Sequence, residues 1–146
     1  MALLHEAATR ANLENRLATL QPATRAAWGK MSAAQMLWHV NQSMAAGLGQ
    51  AALDSAKPPL PRAVIKFMVL NLPWVKNAPT NKALVPRDDC DFQAEVARCR
   101  RLMAEFGTRP LTGPPQDHPA FGNMTVTDQS RLHAKHLDHH FKQFGI

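Results

Sequence analysis

Four of the chain's seven histidines fall between Thr125 and Ile146, in TVTDQSRLHAKHLDHHFKQFGI. His136 and His140 are four residues apart, so on a helix of 3.6 residues per turn they stand one above the other. A neutral imidazole is a good ligand for Zn²⁺ or Ni²⁺, and an i, i+4 pair can share one ion. The same helical reading gathers Leu132, His133, His136, Leu137, His140, Gln143 and Phe144 on one side. Arg131, Ala134, Lys135, Asp138 and Lys142 fall on the other, with His139 and Phe141 at the edges. Two imidazoles turned toward a core must be reconciled with burial, and a divalent metal does so. Such a site needs a further ligand from elsewhere in the chain.

His39 is the candidate. Ser32 followed by Gln35 has the form of a capping box and predicts a helix from Ser32 to Gly47 or Gly49. Met36, Val40, Met44 and Gly47 make one stripe of it, and Gln35, His39, Gln42 and Ser43 make the adjoining one. Flanked by Met36 and Val40, His39 faces the interior. A lone interior histidine is ordinarily a satisfied core residue; other histidines opposite it would make it a ligand.

The remaining elements follow from periodicity and punctuation. Leu3, Ala7, Leu13, Leu17 and Leu20 recur at helical intervals, giving a first helix over about 4–20 that Pro22 ends. The turn region up to Ser32 has Gly29 as its backbone swivel. Pro61 opens a short helix, PRAVIKFMVLNL, closed by Pro73. PWVKNAPTNKALVPRDD is a long irregular stretch of the kind that packs over a pocket. Phe92, Val96, Cys99, Leu102, Met103 and Phe106 mark a helix from Asp91 to Phe106 that Gly107 stops. Thr125 with Asp128 is a second capping box, opening the histidine-bearing helix. With no convincing strand alternation, the expectation is all-α: a four-helix bundle in one domain, 1–146, with a long crossover carrying a short extra helix. Met31, Met36, Met44, Met68, Met103 and Met124 read as core filler.

Composition narrows the function classes. Cys90 and Cys99 are too few and too far apart for a CxxC site, which points to a reduced, cytoplasmic protein. Glu6, Arg10 and Glu14 interrupt the opening stretch, so it is not a signal peptide. The longest apolar run, from Ala63, is broken by Lys66, Asn71 and Pro73 and is too short to span a bilayer. The net charge of +6 raises nucleic acid as a partner, but only Arg98, Arg100 and Arg101 cluster. Tyrosine is absent, so base-stacking platforms are scarce and a solvated basic surface is the simpler reading.

Taken in order, WGKMSAAQMLWHV, then HPAFGNMTVTDQ and KHLDHHFKQFG, resemble a domain-of-unknown-function branch of the DinB/YfiT-like superfamily. In that branch a WGxMS turn precedes a helix with an internal histidine, an HPxFG loop precedes the last helix, and HxxHHxxQFG follows. LPWVKNAPT also resembles a segment of the branch. The similarity runs over essentially the whole chain. It implies a four-helix bundle, often dimeric, with a divalent metal (Zn²⁺ or Ni²⁺) held by His39, His136 and His140.

A three-histidine site leaves a coordination position open, as in catalytic rather than structural zinc. The superfamily includes thiol-dependent S-transferases and metal-dependent hydrolases, so the resemblance implies a small-molecule substrate or a low-molecular-weight thiol. The alternative is a non-catalytic ligand-binding or stress-response module with a structural or degenerate metal site. No Asp or Glu is an obvious general base, since Asp138 projects away from the trio, and HEXXH is absent. Gln143, Gln35 or Ser43 could orient a ligand; His133 packs at the rim in preference to supporting the site or serving as a spare ligand, and His139 either supports the ligands or is partly solvated. His118 braces the loop before the last helix, Trp28 and Trp38 are core or pocket walls, and Trp74 is a lid or a dimer contact.

Overall fold

The helix that carries four histidines is fixed at its start by reciprocal side-chain caps. In a computed structural model, which describes residues 2–146, α5 spans Val126–Gln143. The Thr125 hydroxyl accepts the Asp128 N–H at 3.1 Å, and the Asp128 carboxylate accepts the Thr125 N–H at 3.0 Å. The second histidine-bearing helix, α2 (Ala33–Gly47), begins the same way. Ser32 Oγ accepts from Gln35 N at 3.1 Å, and Gln35 Oε1 accepts from Ser32 N at 2.9 Å. Each box satisfies two backbone N–H groups that a helix start would otherwise leave orphaned.

The other helices are α1 (Ala7–Leu17), α3 (Arg62–Asn71) and α4 (Phe92–Thr108), with a 3-10 turn at Lys82–Leu84. α1, α2, α4 and α5 share one core, built from Leu13 and Leu17, Met36, Leu37 and Val40, Leu102 and Phe106, and Leu137 and Phe141. α3 lies on α5 through a smaller cluster of Leu70, Met124 and Leu132.

Polar contacts set α3 in place. Lys66 pairs with Asp128 at 2.6 Å, and Arg131 donates to Asn71 at 2.7 Å. Lys135 Nζ donates to the Val69 carbonyl at 2.8 Å and to that of Leu72, meeting the carbonyl end of α3 with a cation. These contacts matter for the site because Trp74 Nε1 also donates to Val69 O, at 2.7 Å, which fixes the indole beside α5.

Several expectations need correction. The all-α reading missed an antiparallel pair, β1 (Gln116–His118) and β2 (Gly122–Met124), with Asp117 opposite Asn123. Three residues per strand are too few for visible alternation. In its turn His118 Nδ1 accepts the Ala120 N–H at 3.1 Å and the ring stacks on Phe121, so His118 does brace this loop. Near the N-terminus the buried residue is Leu4, whereas Leu3 is only partly buried and Ala7 is exposed. Gly107 does not stop α4. It lies inside the helix, where the Arg10 guanidinium occupies the space a Cβ would take. Ala134 is buried, because α5 is covered on more than one side. Met68 is exposed, on an outward α3 face shared with Val64 and Phe67.

The basic cluster is largely neutralised: Arg98 hydrogen-bonds Gln42 and lies 3.6 Å from Glu95, and Arg100 pairs with Glu14 at 3.0 Å. Among the described residues no helix is long and apolar enough to cross a membrane.

Candidate metal centre

α2 and α5 cross so that His39, 97 residues before His136 in sequence, faces the pair one turn apart on α5. His39, His136 and His140 are all buried, and each offers one ligand atom within 4.8 Å of the others. His39 Nε2 and His136 Nε2 are 3.1 Å apart. Adjacent nitrogens on a tetrahedral zinc with bonds near 2.05 Å lie about 3.3 Å apart, so this pair already has the spacing of co-ligands.

Hydrogen bonds settle which nitrogen of two rings is free. His39 Nδ1 lies 2.7 Å from the Leu84 carbonyl oxygen. A carbonyl can only accept, so the proton sits on Nδ1 and the Nε2 lone pair points at the cluster. Gln143 Nε2 donates to the Trp28 carbonyl at 2.8 Å, which orients the amide and turns its Oε1 toward His140. His140 Nδ1 donates to that oxygen at 2.6 Å, again leaving Nε2 free. With His39 Nε2 unprotonated, the 3.1 Å contact holds at most one proton, which a cation would replace. This pattern, in which the non-ligating nitrogen is held by a carbonyl or amide, is how metal-binding histidines are ordinarily oriented.

Electrostatics agree. Burial is the first cause that lowers the pKa of all three rings from the ordinary 6.5. His136 falls well below that value, with His140 and His39 adding to the effect, and His140 falls to about 3. At neutral pH all three are uncharged, the only state in which imidazole ligates.

The trio lines a cavity of about 320 Å³ whose other walls include Trp28, Trp74, Leu84, Val85 and Asn77. Gly29 has φ +80° at its rim, where a Cβ would lie 2.8 Å from Gln143 Nε2, so the expected swivel also leaves room for the residue that holds His140.

The remaining candidates separate into two places. His139 and Gln143 are at this cavity; His139 is half-buried, 5.5 Å from Trp74 and 5.9 Å from Trp28 between ring centres. Ser43 and His133 line a different cavity of about 190 Å³ with Gly47 and Gln129. There His133 Nε2 is 3.2 Å from Gln129 Oε1, and burial pushes its pKa to about 3. Gln35 is engaged at the start of α2, where its amide nitrogen donates to Arg87 O at 3.2 Å. Trp28 and Trp74 are pocket walls. Two contributors carried no signal in the sequence, the backbone carbonyls of Leu84 and Trp28. The nearest clue to the first was Asn81, whose side chain accepts the Ala83 N–H at 3.0 Å and starts the 3-10 turn.

A model of the family described as protein of unknown function (DUF1569) matches residues 4–145. The chain belongs to the DUF1569 family. Its match embraces all three histidines and both helices that present them, so the cluster is a feature of this DUF1569 chain's matched region. Neither curated proteins nor solved structures gave a match.

Gln143 provides a graded test of the centre. Gln143→Leu removes the acceptor for His140 Nδ1 and the donor to Trp28 O while keeping the side-chain volume. Metal affinity measured by competition with a chelator should fall about 10–100-fold. Unchanged affinity would show that His140 is not oriented for an ion.

Proposed function

We propose that this DUF1569 protein is a DinB-like four-helix bundle, a single domain over 1–146. In this reading it holds Zn²⁺ or Ni²⁺ through Nε2 of His39, His136 and His140 and acts on a small molecule in the adjoining cavity. The observation that carries the reading is the free Nε2 of His39 and of His140, each left without a proton by a hydrogen bond at its far nitrogen, in a cluster whose ligand atoms lie within 4.8 Å of one another. The crossover of the bundle is the segment between α2 and α4, which contains α3 and roofs the cavity.

A bound ion supplies Lewis acidity that makes a coordinated water or thiol more acidic. The chain's own residues must then position the substrate and move the proton. Among the described residues no carboxylate lines the cavity, which leaves His139 as its one non-ligand imidazole. Burial also lowers its pKa, so it is neutral at pH 7 and able to accept. A thiol gives up its proton more easily than water does, so S-transfer fits a lining without a carboxylate base better than hydrolysis.

The test uses untagged protein, with metal content measured before and after loading. Thiol-dependent loss of an electrophilic aryl halide is then followed. Turnover should require the ion and drop about 10²-fold or more in His139→Gln at unchanged metal content. Ester hydrolysis without thiol dependence would move the assignment to a hydrolase. A loaded protein inert toward both thiols and esters would be a non-catalytic binding module instead. A protein that takes up no ion would refute the metal reading itself.

A further inference from the structure

The cavity over the trio has a charge asymmetry that the three-histidine reading does not use. No Asp or Glu lines it, whereas Lys30 does. A second cation, Lys76, falls between the lining residues Val75 and Asn77, and its Nζ is 4.6 Å from the centre of the Trp28 ring, itself a wall of the cavity. Both lysines are exposed, and neither pairs with a carboxylate among the described residues. Carboxylates do meet cations at other places on the described surface, as Asp138 meets Arg16 and Lys142, Asp128 meets Lys66 and Glu14 meets Arg100. The rim also keeps apolar surface in water: Val75 is 69% exposed and Val85 56%.

A lysine without a carboxylate partner, held over an aromatic ring that walls a cavity, is a compact charge beside that cavity. Apolar rim residues beside an indole suit a flat or branched apolar body. We propose that the cavity takes an organic anion, whose apolar body packs on Trp28, Trp74, Val75 and Val85 and whose carboxylate or phosphate group is read by Lys30 and Lys76. This names the substrate class for the site proposed above and rests on that reading for the reaction. The lysine contacts themselves need no ion. Cationic substrates are disfavoured, because nothing in the lining offers them a negative charge.

Four naphthalene probes differing only in the head group decide the matter by equilibrium dialysis: the carboxylate, the phosphate monoester, the carboxamide and the methylammonium. In metal-loaded protein the two anions should bind more tightly than the amide, and the ammonium most weakly. Exposed ion pairs are individually modest, so Lys30→Gln with Lys76→Gln should narrow the anion–amide gap about tenfold, and added salt should narrow it too. The amide's affinity should stay unchanged in the double variant, which shows that the walls are intact. Metal-stripped protein should keep a smaller, still lysine-dependent preference. Equal binding of carboxylate and amide, no binding of any probe, or a gap that the double variant leaves untouched would overturn the assignment. If the chain takes up no metal but retains the lysine-dependent preference, the metal reading fails and this one stands.

Discussion

His136→Ala should abolish stoichiometric metal binding while the helices stay folded. His136 touches both other members of the trio, 3.1 Å from His39 between Nε2 atoms and 4.8 Å from His140 between ring centres. Its removal leaves two imidazoles, one fewer than the three protein ligands that hold an open tetrahedral zinc. The loss should therefore exceed the effect of disturbing an orienting partner such as Gln143. His133→Ala is the matched control. It removes an equally buried imidazole from the same helix, three residues away and in the other cavity. That change should lower stability by about 1–3 kcal/mol through lost packing and an unpaired Gln129, with metal content unaffected. Circular dichroism of both variants should match that of the wild type. Wild-type metal content in His136→Ala would eliminate the centre as drawn.

Acid should destabilise the metal-free protein well before its carboxylates titrate. His133 and His140 are held at about 3 and His118 at about 4, against an ordinary 6.5, and burial is the first cause in each. Above pH 6.5 these rings are neutral in folded and unfolded chains alike, so the native arrangement is at full strength. Below 6.5 the unfolded chain takes up protons that the folded one refuses, and stability falls with pH until the folded values are reached. At pH 5, 1.5 units below the unfolded value, His133 and His140 each contribute a loss of about 2 kcal/mol. His39 and His136 act in the same direction. That sum is comparable with the 5–15 kcal/mol that holds an ordinary domain together. Asp128 and Asp138 are held below 3.8 despite opposing burial, by Lys66 and by Lys142 and Arg16. Their contribution is present above that value and is lost only at lower pH. Urea unfolding should thus show a midpoint nearly constant from pH 8 to 7 and dropping steeply from 7 to 5. His133→Gln should flatten the drop. A midpoint indifferent to pH across that range would contradict the neutral, buried imidazoles. Added Zn²⁺ should raise the midpoint at pH 7 and lose this effect toward pH 5, as protons compete for the same nitrogens.

What the sequence made legible was whatever depends on local order. Ser32 with Gln35 and Thr125 with Asp128 announced both helix starts, because a capping box is a short-range device with fixed spacing. The i, i+4 spacing of His136 and His140 declared the pair. Facing His39 toward them required only the apolar neighbours Met36 and Val40. Illegible were the features that belong to backbone or to tertiary approach. The Leu84 carbonyl has no side-chain signature, and His133 could not be separated from His136 by periodicity, since both lie on the buried arc of α5. Only the position of α2 sends them to different cavities. The hairpin at 116–124 was lost to its brevity. Gly107 looked like a helix stop because nothing local shows that Arg10 will lie against it.

The hydrogen bond from His39 to Leu84 joins the proposed ion site to the long connection that covers it. One backbone carbonyl there decides how firmly a ligand imidazole is held, so the two processes are thermodynamically linked. If the trio holds an ion as proposed, a guest that seats against Leu84 and Val85 and steadies that segment would raise the affinity for the ion. By reciprocity, the ion would raise the affinity for the guest by the same factor. Affinities measured for either one alone should then fall below those measured with both present.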